Sequence, residues 1–200
     1  LTDEQIEDFA EDGFIYQVAN ALMDGKSIEE EIVCTSIAAC LSSFEISQNR
    51  ELFEQCMELF KMNNSLQSEE GWINVTSALY SMVVKGNGCE DKEEYSVFLS
   101  DLLLMGAFTG FKNLLKTSYS EPKENMYYIV SVFIQKLDPE QHSGFFNYLG
   151  GRDFFFDCLF SDLEQQGPTL GLTAVFIAYA EFESMFLIST GIYGLLAECF

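Results

Sequence analysis

The chain has 200 residues, of which 48% are hydrophobic and 19 are phenylalanine. It is therefore long enough for one sizeable core and too apolar to be disordered. Its formal charge of −22, from 32 acidic and 10 basic residues, repels phosphate backbones and anionic lipid and argues against binding to nucleic acid or to a membrane surface. The same charge attracts a basic partner, although an acidic surface more often serves only to keep a Phe-rich protein soluble.

The first thirty residues predict two short helices and the start of a longer one. Thr2 followed by acidic residues is typical of a helix start, and Phe14–Met23 forms a second amphipathic segment that ends at Gly25. Ser27 and Glu30 have the spacing of a capping box, so a further helix is expected to begin there.

The segment Glu29–Phe60 predicts the clearest helix pair of the chain. Apolar residues recur at helical spacing as far as Phe44, and a polar break follows at Ser47–Asn49. The second helix, Asn49–Lys61, has one apolar face and one acidic face. The polar face includes Glu51, Glu54, Gln55 and Glu58.

Two further helices are predicted before the middle of the chain. Ser68 precedes a helix start near Trp72, and Lys85–Gly88 marks the end of that helix. Asp91, which has a glutamate at the capping-box position, opens the helix Asp91–Met105.

The second half of the chain predicts a linker followed by further helices. Ser118–Glu124 is interpreted as an internal linker, and Met126–Leu137 as a central helix because it is apolar almost all round. Gly150–Gly151 is expected to form a turn, and the helix after it to end near Gly167–Pro168. The last helix pair covers Leu172–Ala180 and Met185–Leu196.

The compartment is inferred from the cysteines and from the hydropathy. Six cysteines are scattered without CxxC pairs, which favours a reducing compartment over a disulfide framework. The most apolar region, Leu170–Leu196, carries Glu181 and Glu183 at its middle, so a buried helix pair explains it better than a membrane span. We therefore expect a cytoplasmic protein, with the nucleus as the alternative, and no membrane insertion.

A repeat is visible when the helix pairs are aligned, because the units follow one another at roughly forty to fifty residues. The residues Ile37–Leu41 with Asn49, and Leu52–Glu54 with Leu59–Phe60, carry a pattern that resembles the armadillo/HEAT superfamily. The resemblance implies an all-α fold, a right-handed α-solenoid of about four irregular repeats. It implies one helical-repeat domain over residues 1–200, which we interpret as a fragment of a longer protein. An irregular helical bundle without repeat ancestry is the alternative. The aligned units are Ile37–Phe60, Ser77–Leu103, Val130–Phe160 and Val175–Phe200.

The resemblance implies a non-catalytic scaffold for protein–protein interaction, in which the last helix of each unit lines a groove for a protein or peptide partner. An acidic groove would suit a basic partner, while ordinary solvated positions are the plainer interpretation. Trp72 is either a core anchor or a binding hot spot. The groove helices would be Asn49–Lys61, Asp91–Met105, Phe145–Leu163 and Ser184–Cys199. The candidate partner-binding residues are Glu51, Glu54, Gln55, Glu58, Trp72, Glu93, Asp101 and Asn147.

Catalytic and metal-binding motifs are missing from the sequence. There is no HExxH, EF-hand loop, P-loop or GxGxxG, and the only histidine, His142, is expected on the surface in a turn. We therefore predict no enzymatic activity, no cofactor and no metal. Two alternatives stay open, namely a regulatory module that docks on a neighbouring domain or a small GTPase, and an all-α enzyme or lipid-binding fold with a Phe-lined cavity. The sequence does not determine the oligomeric state.

Overall fold

A computed structural model of the chain describes residues 28–41, 66–85, 92–137 and 139–182. All regular elements within these ranges are α-helices, which confirms the predicted all-α class. The helices are α1 (Ile28–Leu41), α2 (Glu69–Lys85), α3 (Lys92–Leu104), α4 (Phe111–Leu114), α5 (Ser120–Lys136), α6 (Pro139–Tyr148), α7 (Arg152–Gln166) and α8 (Leu170–Phe182).

Most of the predicted helix boundaries that fall in these ranges are confirmed. Helix α1 begins directly after Ser27, and α2 begins directly after Ser68. Helix α2 ends at Lys85, where the glycine-rich stop begins, and α7 ends just before Gly167. The Ser68 hydroxyl accepts a hydrogen bond from the Gly71 N–H at the start of α2, and Gly167 ends α7, so a side-chain cap and a glycine set these two ends as the sequence indicates.

Two predicted segments are wrong. Ser118–Glu124 is not a linker, because α5 begins inside it, and Pro122 is tolerated in the first helical turn, where the backbone N–H has no partner within the helix. The groove helix Phe145–Leu163 is not one helix, because the predicted turn at Gly150–Gly151 is confirmed, with φ of 93° and 101°, and separates α6 from α7. A residue with a Cβ rarely adopts these angles, so the glycines allow the sharp turn.

Helices α1, α2, α5 and α8 lie side by side in this order, and we call them the helix row. Between α1 and α2, Glu31 contacts Ser68 near the start of both helices, and Ser36 contacts Asn74 further along. The contacting residues move towards the C-terminus on both helices together, so α1 and α2 are parallel. Between α2 and α5, the Ser77–Asn125 hydrogen bond is followed by the Tyr80–Tyr128 ring contact, so these helices are also parallel. Glu124 near the start of α5 contacts Gly171 near the start of α8, which is consistent with a parallel arrangement there too.

Helices α3, α6 and α7 pack behind the row. The Tyr95 hydroxyl of α3 donates a hydrogen bond to the Val83 carbonyl near the end of α2. Phe145 of α6 stacks on Phe133 of α5 with ring centroids 4.9 Å apart. Helix α7 is held to α5 by a buried ion pair that is described below. Each row helix in the middle of the structure therefore has one buried face turned to the core and an opposite face that is at least partly exposed.

The core is dominated by aromatic rings that pack on one another. Phe108 lies at its centre, with its ring centroid 4.8 Å from that of Phe133, 5.5 Å from Phe145 and 5.3 Å from Phe111, all in edge-to-face geometry. Trp72 contacts Phe111 edge-on at 6.5 Å. Edge-to-face contacts of this kind stabilise a core by about 0.5–1.5 kcal/mol each beyond the area that they bury.

Charge is distributed unevenly over the helices. Although 21% of the chain is charged, the charged residues of each row helix lie within its first five or its last two residues. None of the described helices is both long enough and apolar enough to span a bilayer. Among the described residues, charge therefore sits away from the middle of the row helices. The uncharged stretches are 32–41, 71–84, 125–135 and 170–180.

Candidate functional site

The structure describes four of the eight residues that the sequence predicts as partner-binding. Trp72 is only 1% exposed, so it is a core residue and its side chain is not part of an exposed groove. Glu93 is exposed and Asp101 is half-buried on α3, about 12 Å apart along the helix axis, and Asn147 is exposed on α6. The other four predicted residues, Glu51, Glu54, Gln55 and Glu58, lie outside the described ranges.

The prediction that His142 lies on the surface in a turn is wrong. The residue belongs to α6 and is 5% exposed. Phe145 and Phe146, three and four residues later, are buried, and residues at this spacing share one face of a helix. The imidazole is therefore carried inward with the aromatic face of α6.

Hydrogen bonds between side chains connect α1 to α2. The Asn74 amide nitrogen of α2 donates to Thr35 Oγ1 and to Ser36 Oγ of α1, both at 3.1 Å. One asparagine therefore bridges two consecutive hydroxyls of the preceding helix, and we call this arrangement a rung. Such a rung fixes the register of the two helices, because a shift by one residue would break both bonds.

A second rung connects α2 to α5 in the same way. The Asn125 amide nitrogen of α5 donates to Ser77 Oγ at 3.1 Å and to Thr76 Oγ1 at 3.4 Å. Asn125 is half-buried and Ser77 is exposed, so this rung borders solvent. The row therefore repeats one polar device at two successive interfaces.

A tyrosine pair lies one turn further along the same two helices. The rings of Tyr80 and Tyr128 meet edge-to-face with centroids 5.6 Å apart, and both side chains are half-buried. Burial raises the pKa of Tyr128 above its usual value, with a smaller contribution from the Glu124 carboxylate, so its hydroxyl keeps its proton at neutral pH. Together with the rungs these rings form a surface that we call the tyrosine–amide strip. It consists of Ser36, Asn74, Ser77, Tyr80, Asn125 and Tyr128.

A glutamate of α1 caps the start of α2. The Glu31 carboxylate accepts hydrogen bonds from the backbone N–H groups of Gln67 and Ser68, both at 2.9 Å, and from the Ser68 hydroxyl at 2.5 Å. The Ser68 hydroxyl oxygen accepts in turn from the Gly71 N–H at 3.0 Å. A negative charge at a helix N-terminus is stabilising, because the unpaired N–H groups there are partly positive.

A glutamate of α5 caps the start of α8 in a similar way. The Glu124 carboxylate accepts hydrogen bonds from the Thr169 hydroxyl and, at 2.6 Å, from the Gly171 N–H. A Cβ at Gly171 would lie 2.7 Å from the Glu124 backbone oxygen, so only glycine allows this close approach. The two caps and the two rungs together tie each row helix to the one before it.

A buried ionic cluster joins α5 to α7. Lys123 Nζ lies 3.0 Å from Asp162 Oδ1, and the Tyr127 hydroxyl donates to Asp162 Oδ2 at 2.5 Å. Burial, and then the hydrogen bond to Asp162, raise the pKa of Tyr127 far above its usual value. Burial also raises the pKa of the neighbouring Cys158 thiol, which keeps that thiol protonated and therefore weakly nucleophilic. The cluster is suited to holding two helices together.

Sequence reasoning missed both the strip and the ionic cluster. The sequence does contain a signal for the strip. Asn74 lies within, and Asn125 begins, a run of uncharged, mostly apolar helical residues. Lys123 and Tyr127 are four residues apart, the spacing that places two side chains on one helix face. Their partner Asp162 lies on another helix, and no local pattern identifies it.

Within the described ranges, no group of three or more His, Cys, Asp or Glu side chains is arranged to hold a metal ion. No protein-family model, curated protein or solved structure matches the chain. Function has therefore to be inferred from the side chains and their geometry.

Proposed function

We propose that the protein is a non-catalytic scaffold for protein–protein interaction, built as an armadillo/HEAT-like solenoid of helical repeats. Recurrence within the helix row supports the solenoid. Thr76 follows Thr35 by 41 residues and Asn125 follows Asn74 by 51 residues, and these are the members of two equivalent rungs. Stacked units of this size, each in contact with its neighbours, are typical of helical-repeat proteins.

The tyrosine–amide strip is the observation that carries the binding function. Tyrosine, asparagine and serine are the side chains that recognition surfaces favour, because tyrosine offers a large contact area at low entropic cost and the others offer adaptable hydrogen bonds. The strip lies on uncharged stretches of helix in an otherwise highly charged protein. A partner can therefore cover it without removing charged groups from water, which is costly.

The net charge of −22 supports a positively charged partner. A basic peptide or a basic protein surface is drawn towards the acidic protein over a distance of about one Debye length, and the strip then supplies the close contact. Glu93 and Asp101 of α3 stay candidates for an acidic groove on the helices behind the row, α3, α6 and α7. The two surfaces make different predictions for mutants, so one experiment separates them.

The test is fluorescence anisotropy with labelled Lys/Arg-rich peptides and with matched peptides in which glutamine replaces every basic residue. We expect Tyr128→Ala and Tyr80→Ala to weaken binding of the basic peptides about tenfold, the effect of losing about 1.4 kcal/mol at an interface hot spot. Tyr148→Ala, which removes a half-buried tyrosine from α6, is the matched control and should leave binding unchanged. Added salt should weaken binding in every case.

The outcomes discriminate between the two surfaces. Loss of binding in Asp101→Asn and Glu93→Gln, with both strip variants normal, would move the partner to the acidic groove. Equal binding of the basic and the glutamine peptides would contradict a basic partner. No binding of any peptide at low salt would overturn the proposed function in the form given above.

A further inference from the structure

Within the described ranges, the first and last helices of the row can be compared with its interior, because the row repeats in register. Residues 170–180 of α8 show the same order of exposed, half-buried and buried positions as residues 70–80 of α2, residue for residue. Ile177 is thus the counterpart of Ser77. Inside the row, Ser77 accepts the hydrogen bond from the next helix. Ile177 therefore occupies the position that faces the next helix.

The hydroxyl pairs of the two rungs identify the position on α1 that would face a preceding helix. Thr35 of α1 plays the part that Thr76 plays on α2, since each accepts from the asparagine of the following helix. Asn74, two residues before Thr76, faces the preceding helix. Val33, two residues before Thr35, is its counterpart on α1. Val33 therefore occupies the position that would face a preceding helix.

Both end positions are apolar and exposed, whereas the corresponding positions at the α1–α2 and α2–α5 interfaces are polar and paired. Val33 is 58% exposed and Ile177 is 53% exposed. Ile28, also on α1, and Leu170, also on α8, are 52% and 75% exposed. Four of the seven large hydrophobic side chains that are exposed in the described part of the chain thus lie on the first and last helices of the row. Val33 and Ile177 therefore offer exposed apolar side chains at the two positions that would face a neighbouring helix.

We propose that a second copy of this chain covers these faces. Helix α8 of one protomer packs in parallel on α1 of the next, with Ile177 opposite Val33, and the row continues from one copy into the other. The two faces belong to the same chain, occupy complementary positions of one repeating interface, and are uncharged over residues 32–41 and 170–180. An apolar pair then takes the place of the Asn–hydroxyl rung.

The geometry makes this contact heterologous, because two different faces meet. Such a contact leaves one free face on each end of the assembly, so it extends into longer assemblies unless the rotation closes a ring. One helix–helix contact buries less than the roughly 1,200 Å² of a standard interface, so the association is expected to be weak. Protomers of charge −22 repel one another, and added salt should therefore strengthen the association. Peptide binding by the strip has the opposite salt dependence, so this inference goes beyond the proposed function and is tested separately from it.

The test is light scattering coupled to size exclusion, with a series of protein concentrations at low and high salt. The mean mass of the unmodified chain should rise with concentration and with salt. Val33→Asp and Ile177→Asp should each abolish the rise, because each breaks one of the two faces. Val97→Asp is the matched control, since Val97 on α3 is also 58% exposed, and it should associate like the unmodified chain.

A mixture of the two end variants provides the sharpest test. Val33→Asp keeps an intact α8 face and Ile177→Asp keeps an intact α1 face, so the mixture should form a dimer and nothing larger. A chain that stays monomeric at high salt would overturn the proposal. So would a mixture that does not dimerise, or a Val97→Asp variant that fails equally. Circular dichroism melts complete the test, because a large loss of stability in a monomeric Val33→Asp variant would show that its own chain covers this face.

Discussion

Replacing Asp162 by asparagine removes the charge from the buried cluster and leaves its shape almost unchanged. Lys123 is 4% exposed and Asp162 is 6% exposed, so the lysine ammonium would be left without its counter-ion in an environment that water does not reach. The Tyr127 hydroxyl would still find an acceptor in the asparagine carbonyl. The substitution therefore isolates the charge of Asp162 from its packing.

The expected cost is large, because breaking one side of a buried ion pair leaves an uncompensated charge. That loss amounts to about 3–5 kcal/mol, against a total unfolding free energy of about 5–15 kcal/mol for a protein domain. With an m-value of about 2 kcal/mol per molar urea, the unfolding midpoint should fall by about 2 M. Urea unfolding followed by circular dichroism at neutral pH measures this shift.

Two controls accompany the measurement. Asp157→Asn removes an exposed carboxylate from the same helix and should change the unfolding free energy by no more than about 0.5 kcal/mol. The double variant Lys123→Met with Asp162→Asn should lose less stability than the sum of the two single variants, by about 2 kcal/mol, because both members of the pair are then gone. A cost below about 1 kcal/mol for Asp162→Asn, or strict additivity, would refute the assignment of a stabilising buried pair.

Three further changes have calculable outcomes. Gly171→Ala should destabilise the protein by about 1–3 kcal/mol, because the new methyl group would crowd the Glu124 backbone, whereas Gly144→Ala, with open space around the site, should stabilise it by about 0.5–1 kcal/mol in thermal or urea unfolding. Phe108→Ala should cost about 3–5 kcal/mol, since its ring is fully buried among other rings, and a cost below about 2 kcal/mol would contradict its central place in the core. The pKa of Tyr127 is raised in the folded protein, so its proton is held there above the pH at which the unfolded chain releases it. Its contribution to stability is complete below about pH 10 and declines above it by about 1.4 kcal/mol per pH unit, and urea unfolding of Tyr127→Phe at rising pH should lack this part of the decline.

Helix boundaries were predictable from local chemistry where one residue decides them. Ser68 caps the start of α2, and Gly167, with φ of 75°, ends α7, because capping and backbone freedom act within a few residues. Ser118–Glu124 was not predictable in this way. Its polar residues and its proline suit a linker, but contacts with the neighbouring helices decide the matter, and Pro122 itself is buried.

The candidate site was less predictable than the fold class. Periodicity indicates that a helix has an apolar face, but it does not say which helix lies next to it. Asn125 meets the hydroxyls of Thr76 and Ser77 across 49 and 48 residues of chain, and only the packed structure brings them together. The burial of Trp72 follows the same rule, since its core position depends on where Phe111 packs. The acidic groove stays a prediction, because half of its residues lie outside the described ranges.

The two glutamate caps have a consequence for how the protein is made. In each cap the carboxylate belongs to the earlier helix and the N–H groups belong to the later one. The stabilising carboxylate is therefore synthesised before the helix start that it stabilises. A helix that emerges from the ribosome finds the acceptor for its first turn already in place on the helix made before it. Nucleating that first turn is the costly step of helix formation. We expect the row helices to fold one after another, from the N-terminus, during translation. Arrest-peptide measurements report the pulling force of cotranslational folding. The force that arises when α8 folds should appear at a longer chain length, and be smaller, when Glu124 is replaced by glutamine.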